Sequence, residues 1–419
     1  MLGRKGKRVA ALAAFAVAGS SLLALPAAHA AATPIVIWVD DTRQVAVQTA
    51  IGSTYQGHPV QVVVNKDIKG NIATVAAADA PDVIVGAHDW TGGLVANGSI
   101  VKLFPTKAQL SLLSADAVSA FRYGNGLWGM PYAVENVAVI VNNALIKKNP
   151  TTFAQLEATG LAAKKKLLAA GKKDALALAV QQGANGDAYH MYPLFSGLGG
   201  YVFGSNGHGG LDQYNVGVAN KKFLKNAPLI AKWNKEGLIR SSVDGGIAQN
   251  SFSAGHAAYW ITGPWQNTKN AQGHSTLGDL KFKYSIIALP TIVKGITPRP
   301  FSGVQGFYVT KFAKTHGVDL AAKSLVTSLL TSQTVQTKLA NSGGRAPANL
   351  KAAAKVSDKN VRAFSLASKF SVPMPNIPAM GVVWGPLATA WVQSTKGSGA
   401  VAPATAFKKA LSTINKQIN

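Results

Sequence analysis

The sequence predicts an α/β protein of two lobes, and three observations carry that expectation. Short apolar, β-branched runs alternate with helical patterns from Ile35 onward. About 389 residues follow an N-terminal leader, enough for two cores. A Pro/Gly-rich connection between Leu289 and Gly306 reads as a strand returning from one lobe to the other.

Taken in order, Ile35 to Val39 is a β run ending in Asp40-Asp41-Thr42-Arg43, followed by a helical pattern from Val45 to Ile51. Val60 to Val64 is a second strand. Asn71 to Ala78 reads as a helix stopped by Ala80-Pro81, and Asp82 to Val85 as a third strand, so the sheet here should be parallel. Val134 to Val141 is expected to be one strand. Thr151 and Thr152 offer a cap for the helix that follows Pro150 and continues through Ala170. Ala175 to Val180 is a strand, Tyr189 to Leu198 a helix, and Gly199 to Gly210 a glycine-rich loop. Helices are expected over Lys222 to Lys235 and Ala248 to Phe252, with Ala257 to Thr262 the next strand. Tyr284 to Leu289 and Gly306 to Val309 read as a sheet pair around the return crossing. Helical patterns occupy Val318 to Leu330, Ser332 to Leu339, Asn360 to Lys369, Pro386 to Val392 and Thr405 to Ile418. The expected lobes are 31–135 with 304–338, and 136–303 with 339–419.

Residues 1–30 have a basic start, an apolar stretch from Val9 to Leu25 and Ala28-His29-Ala30, the pattern of a cleaved secretory signal. No later segment approaches eighteen consecutive apolar residues. The chain contains no cysteine, which excludes disulfides, thiolate metal sites, cysteine nucleophiles and a lipid-bearing cysteine at the cleavage point. Net charge is +25, and +21 once the four basic residues of the leader are removed. The lysines are scattered, as in Lys164-Lys-Lys166 and Lys408-Lys409, which reads as a solvated surface and not as a nucleic-acid site. A shortage of acids also suits folding in an acidic medium.

Several phrases carry the chemistry. Pro81 to Gly93 places Asp89 and Trp90 where an apolar run ends and a helix can begin. Carboxylates accept hydrogen bonds from hydroxyls, and an indole packs on the apolar face of a pyranose. Pro131-Tyr-Ala-Val-Glu135, the region from Tyr189 to Tyr201, Thr262-Gly-Pro-Trp265, and Met374-Pro-Asn-Ile-Pro378 leading to Trp384 follow in order. In this ordered set the chain resembles the maltose- and maltodextrin-binding proteins, the extracytoplasmic solute-binding subunits of ATP-driven sugar importers. The resemblance runs from Ile35 to the C-terminus. It implies the two-lobed periplasmic-binding-protein fold, with hinge strands between the lobes and a ligand cleft that closes on binding.

The same resemblance assigns roles. Asp89 and Glu135 match carboxylates that bond sugar hydroxyls. Tyr189 matches an aromatic subsite residue, with Asp187 near a neighbouring acid. Trp265 and Trp384 match indoles that stack on glucosyl rings. Asp41 and Arg43 fall in the first strand-to-helix loop, where the family has an acid and a base. Departures are informative: an aromatic of the family is Gly86 here, the arginine after the Ala-His-Asp phrase is Trp90, an acid falls on Lys69, and a tyrosine and an arginine downstream of Trp384 are Gly385 and Ala388. These keep sugar binding while leaving maltose, trehalose, another α-glucoside or a longer oligomer open.

Alternative roles are structural. Asp89 can cap a helix, His88 is expected to be a satisfied structural histidine, and Trp38, Trp128, Trp233, Trp260 and Trp391 are assigned to packing. Glu135 interrupts an apolar strand, so it needs partners, either ligand hydroxyls or a hinge lysine. The function expected is a non-catalytic, monomeric receptor that needs no cofactor and delivers an α-linked oligosaccharide to an ABC permease in the membrane. The rivals are a secreted glycoside hydrolase using Asp89 and Glu135, and a basic protein binding a polyanion or the cell envelope.

Overall fold

A computed structural model describes residues 32–207 and 210–418. The leader expected over 1–30 lies outside them. Two sheets organise the rest. The larger begins with Ile35–Val39, buried at every position but Val36, the pattern of a strand covered on both faces. It pairs in parallel with His58–Val64 on one side and Val83–Ala87 on the other. Phe301–Val309 then adds antiparallel to Val83–Ala87, and Met130–Asn136 lies antiparallel beyond it. The smaller sheet runs in the order Tyr284–Ile287, Ala138–Asn142, Ala257–Thr262, Leu176–Val180, with only its last pair parallel.

Each sheet has its own core. Ile37, Val85, Phe121, Phe307 and Leu325 pack on the larger sheet, while Val139, Tyr259, Phe195, Trp391 and Phe407 pack on the smaller. Two paired strands run from one core into the other. Tyr132 and Ala133 belong to the first core and Val137 and Val139 to the second, while on the neighbouring strand Phe301 belongs to the second and Phe307 to the first. At the crossing Glu135 stands opposite Gly303 and Asn136 opposite Ser302.

Several expected elements are corrected. The single strand over Val134 to Val141 is two, separated at Val137, because the chain changes sheets there. Tyr284–Ile287 and Phe301–Val309 do not pair; they lie in different sheets, so the Pro/Gly-rich segment is a crossing without being a hairpin. The helix expected over Asn71 to Ala78 is one turn, Ile68–Asn71, capped by Asp67, followed by irregular chain and a 3-10 turn at Ala77–Asp79. The β-branched Ile72, Thr74 and Val75 give that stretch little helical preference. The helix over Lys222 to Lys235 divides into Lys221–Asn226 and Pro228–Glu236, the proline starting the second because it lacks an N–H to donate. Past Asp319–Ser324 the helix widens into a π turn at Leu325–Leu329, where the Thr327 and Thr331 hydroxyls bond back to Lys323 and Thr327 carbonyls. The glycine-rich loop holds a strand, Phe203–Ser205, paired with Leu211–Val216.

Candidate functional site

A cleft of about 630 Å³ opens where the two strands cross. Glu135 and Gln305 reach it from strands of the larger sheet, Lys69, Asp89 and Trp90 from short helical turns beside that sheet, and Asp187, Tyr189, Trp265 and Trp384 from elements packed on the smaller.

Asp89 and Trp90 sit in a single 3-10 turn, His88–Trp90, between the strand Val83–Ala87 and the helix Thr91–Ala96. The Asp89 carboxylate caps neither, which removes its alternative structural role. Burial raises its pKa from 3.8 to about 6, against the opposing pull of Lys69 and the Trp384 side chain. His88 is structural, as expected. Its Nδ1 accepts from Val304 N at 3.0 Å, which leaves Nε2 to donate to the Met374 carbonyl at 2.9 Å. Burial lowers its pKa to about 4 and keeps it neutral near pH 7. Trp90 lies over Gly86, where a Cβ would come within 2.4 Å of its ring carbons. The indole thus occupies the space over residue 86, at which the resembled family carries its own aromatic.

Glu135 stands on the crossing strand, and both its oxygens are held: Arg345 Nε donates to Oε2 at 2.6 Å and Gln305 Nε2 to Oε1 at 2.6 Å. Burial alone would raise its pKa, but Arg345 and Arg43 together with these bonds outweigh burial and hold it below the usual carboxylate range. Of the partners expected, ligand hydroxyls or a hinge lysine, the cationic one is an arginine, Arg345. Arg345 also donates to the Gly343 carbonyl at 3.1 Å and to Thr268 Oγ1 at 3.3 Å. Gly303 lets this group assemble, since a Cβ there would stand 3.1 Å from Glu135 Cγ and 3.4 Å from the Tyr189 hydroxyl oxygen.

Tyr189 is in the helix Ala188–Gly197, its ring 6.1 Å from Trp265 and stacked on Phe301 at 6.3 Å. Burial, then Glu135, raises its pKa well above the ordinary 10. The Tyr189 hydroxyl and Gln305 Oε1 are buried with no hydrogen-bond partner among the described residues. Asp187 begins the same helix and is committed to the framework: it accepts from His190 N at 2.8 Å, His190 Nδ1 at 2.9 Å and Gln181 Nε2 at 2.6 Å. Trp265 follows the strand Ala257–Thr262 in a short 3-10 turn, edge-on to His190 at 5.3 Å. Trp384 opens the helix Trp384–Thr395 and meets Phe301 edge to face at 5.7 Å.

Asp41 and Arg43 are not on the cleft wall. Asp41 is exposed, while Arg43 pairs with Asp40 and donates through Nε to the Tyr132 hydroxyl at 3.1 Å. Its charge still reaches Glu135. Arg345 and Gln305 were missed by sequence reasoning; an arginine after Gly343-Gly344 and a glutamine inside an apolar strand carry no motif. The only available signal was Glu135 itself, a buried acid that required a cation.

The chain matches the model of the bacterial extracellular solute-binding proteins over residues 24–364. It belongs to that family. Among its relatives are the galactooligosaccharide-binding protein of Bacillus subtilis, 28% identical over 92% of this chain and 89% of the relative, and the maltodextrin-binding protein MdxE of the same organism, 28% identical over 74% and 71%. A maltotriose-binding protein of Pyrococcus abyssi is 27% identical over 74% of this chain and 65% of its own length. All three relatives are named for what they bind. No helix of the described residues is long and apolar enough to cross a membrane.

Proposed function

We propose that this solute-binding protein captures an α-linked gluco-oligosaccharide in the cleft and presents it to the membrane subunits of an ABC importer. The observation that carries the reading is the convergence of Trp265, Trp384 and Tyr189 with Asp89 in one cleft, aromatic faces beside a hydrogen-bond acceptor. That is the pairing a pyranose requires: C–H faces against rings, hydroxyl edges toward polar atoms. The unpartnered Tyr189 hydroxyl and Gln305 Oε1 can be satisfied by ligand hydroxyls.

A galactooligosaccharide is the second reading, favoured by the relative of that name, which aligns with more of the chain than the maltodextrin- and maltotriose-binding ones. A hydrolase would want the raised pKa of Asp89, but its second carboxylate would be Glu135, whose oxygens are both taken by Arg345 and Gln305. Calorimetric titration with maltose, maltotriose, trehalose and a galactooligosaccharide separates these readings. Saturable binding to an α-glucoside without product supports the proposal. Binding only to the galactooligosaccharide replaces the ligand, and sugar release from an incubated oligomer replaces the function.

A further inference from the structure

A second cleft, larger than the first at about 1180 Å³, lies beside the smaller sheet and is built from the segments 143–149, 267–285 and 358–360. Six lysines line it: Lys147, Lys148, Lys269, Lys281, Lys283 and Lys359. All six are exposed, and none forms an ion pair among the described residues. The acids in the same wall are already engaged: Asp279 bonds His274 Nδ1 at 3.1 Å, and Asp358 caps the helix Lys359–Ala367 through the amides of Asn360 and Val361. The groove therefore holds six lysines against two acids, a local cluster of like charge within a chain whose other lysines are spread elsewhere.

We propose that this cleft binds a linear polyanion with phosphate in its backbone. Six like charges in one open groove ask for a multivalent ligand, because a single small anion leaves most of them unneutralised. Lysine ammonium groups act as point charges, and the groove has no arginine fork for bidentate recognition of either carboxylate or phosphate, so it responds to charge density along a ligand, which a phosphate backbone supplies at every repeat. Its aromatics are occupied: Lys359 Nζ sits 5.7 Å over the Tyr284 ring, and Phe282 packs edge-on against Phe252 at 5.6 Å. Both rings are thus already in contact with protein groups, so a polymer without nucleobases fits better than single-stranded nucleic acid, which binds by stacking on open aromatic platforms.

The test is fluorescence-detected binding of inorganic polyphosphate and of a phosphodiester-linked glycerol polymer to the purified protein at 50 and 200 mM salt. Lys281→Glu with Lys283→Glu should weaken binding at least tenfold and flatten the salt dependence. Lys165→Glu with Lys166→Glu, the same charge change on exposed residues of the helix Phe153–Ala169, should cost less than threefold. The tighter of the two polymers identifies the source of the phosphate. Failure of both to bind, equal losses in the two variants, or tighter binding of a single-stranded oligonucleotide would overturn the proposal. Should the first variant melt early, Lys147→Glu with Lys148→Glu applies the same test from a loop. Sugar titrations run in parallel keep the two clefts distinguishable, because loss of polyanion binding with sugar binding intact concerns this groove alone.

Discussion

Acidification from pH 7 to pH 5 should weaken oligosaccharide binding about tenfold, and the cause is Asp89. Its pKa in the empty cleft stands at about 6 because burial disfavours the charge more than Lys69 and Trp384 favour it. A sugar that donates hydroxyls to the carboxylate binds the ionised form, so the apparent Kd grows by the factor 1 + 10^(pKa − pH). That factor is about 1.1 at pH 7, about 2 at pH 6 and about 11 at pH 5. Glu135, held below the usual range, and His88, at about 4, keep their states over most of this window. Titration calorimetry in two buffers of different ionisation enthalpy measures both the affinity and the proton released, about half a proton at pH 6. Asp89→Asn should flatten the profile. The same substitution should stabilise the empty protein at pH 7, because the gap between 3.8 and about 6 is a penalty of up to about 3 kcal/mol on the folded carboxylate. The sign is that of a raised acid: the penalty is complete above the folded pKa and gone below the unfolded one, so the stabilisation should vanish near pH 3.5. A Kd constant within twofold from pH 5 to 7, or a profile unchanged in Asp89→Asn, would refute the reasoning.

Other outcomes follow from the same geometry. Arg345→Leu leaves a buried carboxylate without its cation and should cost about 3–5 kcal/mol by denaturant titration, falling on acidification as Glu135 becomes protonated. A cost under about 1 kcal/mol would mean Arg43 and Gln305 suffice. Trp265→Ala should weaken sugar binding by about 2 kcal/mol, roughly thirtyfold, and a loss below about 0.5 kcal/mol would return this indole to packing alone. Gly86→Ala pushes a Cβ into the Trp90 ring and should destabilise by about 1–3 kcal/mol, whereas in a Trp90→Ala background the same change should cost under about 0.5 kcal/mol. Equal costs in the two backgrounds would show that the indole is not what Gly86 accommodates.

Period and punctuation were enough to read the regular parts of the fold. Ile35–Val39, Val83–Ala87 and Ala257–Thr262 are buried apolar runs bounded by polar or turn residues, so local pattern and tertiary role agree. Pattern failed where the chain changes partners without changing composition. Val134 to Val141 is uniformly extended and apolar apart from Glu135 and Asn136, and nothing local says that its two halves belong to different sheets. The cleft shows the same division. Asp89, Trp265 and Trp384 stand in phrases whose chemistry is visible along the chain. Arg345 acquires its meaning only from a contact 210 positions away, and Asp187 lines the cleft while its oxygens serve the helix it begins. Spacing along the sequence reports neither fact.

The position of Trp384 makes the cleft a late product of synthesis. The indole opens the helix Trp384–Thr395, and the final helix, Pro403–Ile418, packs Phe407 against Trp391 at 5.4 Å in the core beneath. Asp89, Glu135 and Trp265 all emerge from the ribosome more than a hundred residues before this pair. A chain cut before Trp384 therefore carries most of the groups proposed to meet the ligand but lacks the wall that faces them and the core that steadies it. On the proposed function, ligand capture is then a property of the folded C-terminal helices as much as of the cleft residues, and a fragment ending before Trp384 is expected to bind no oligosaccharide.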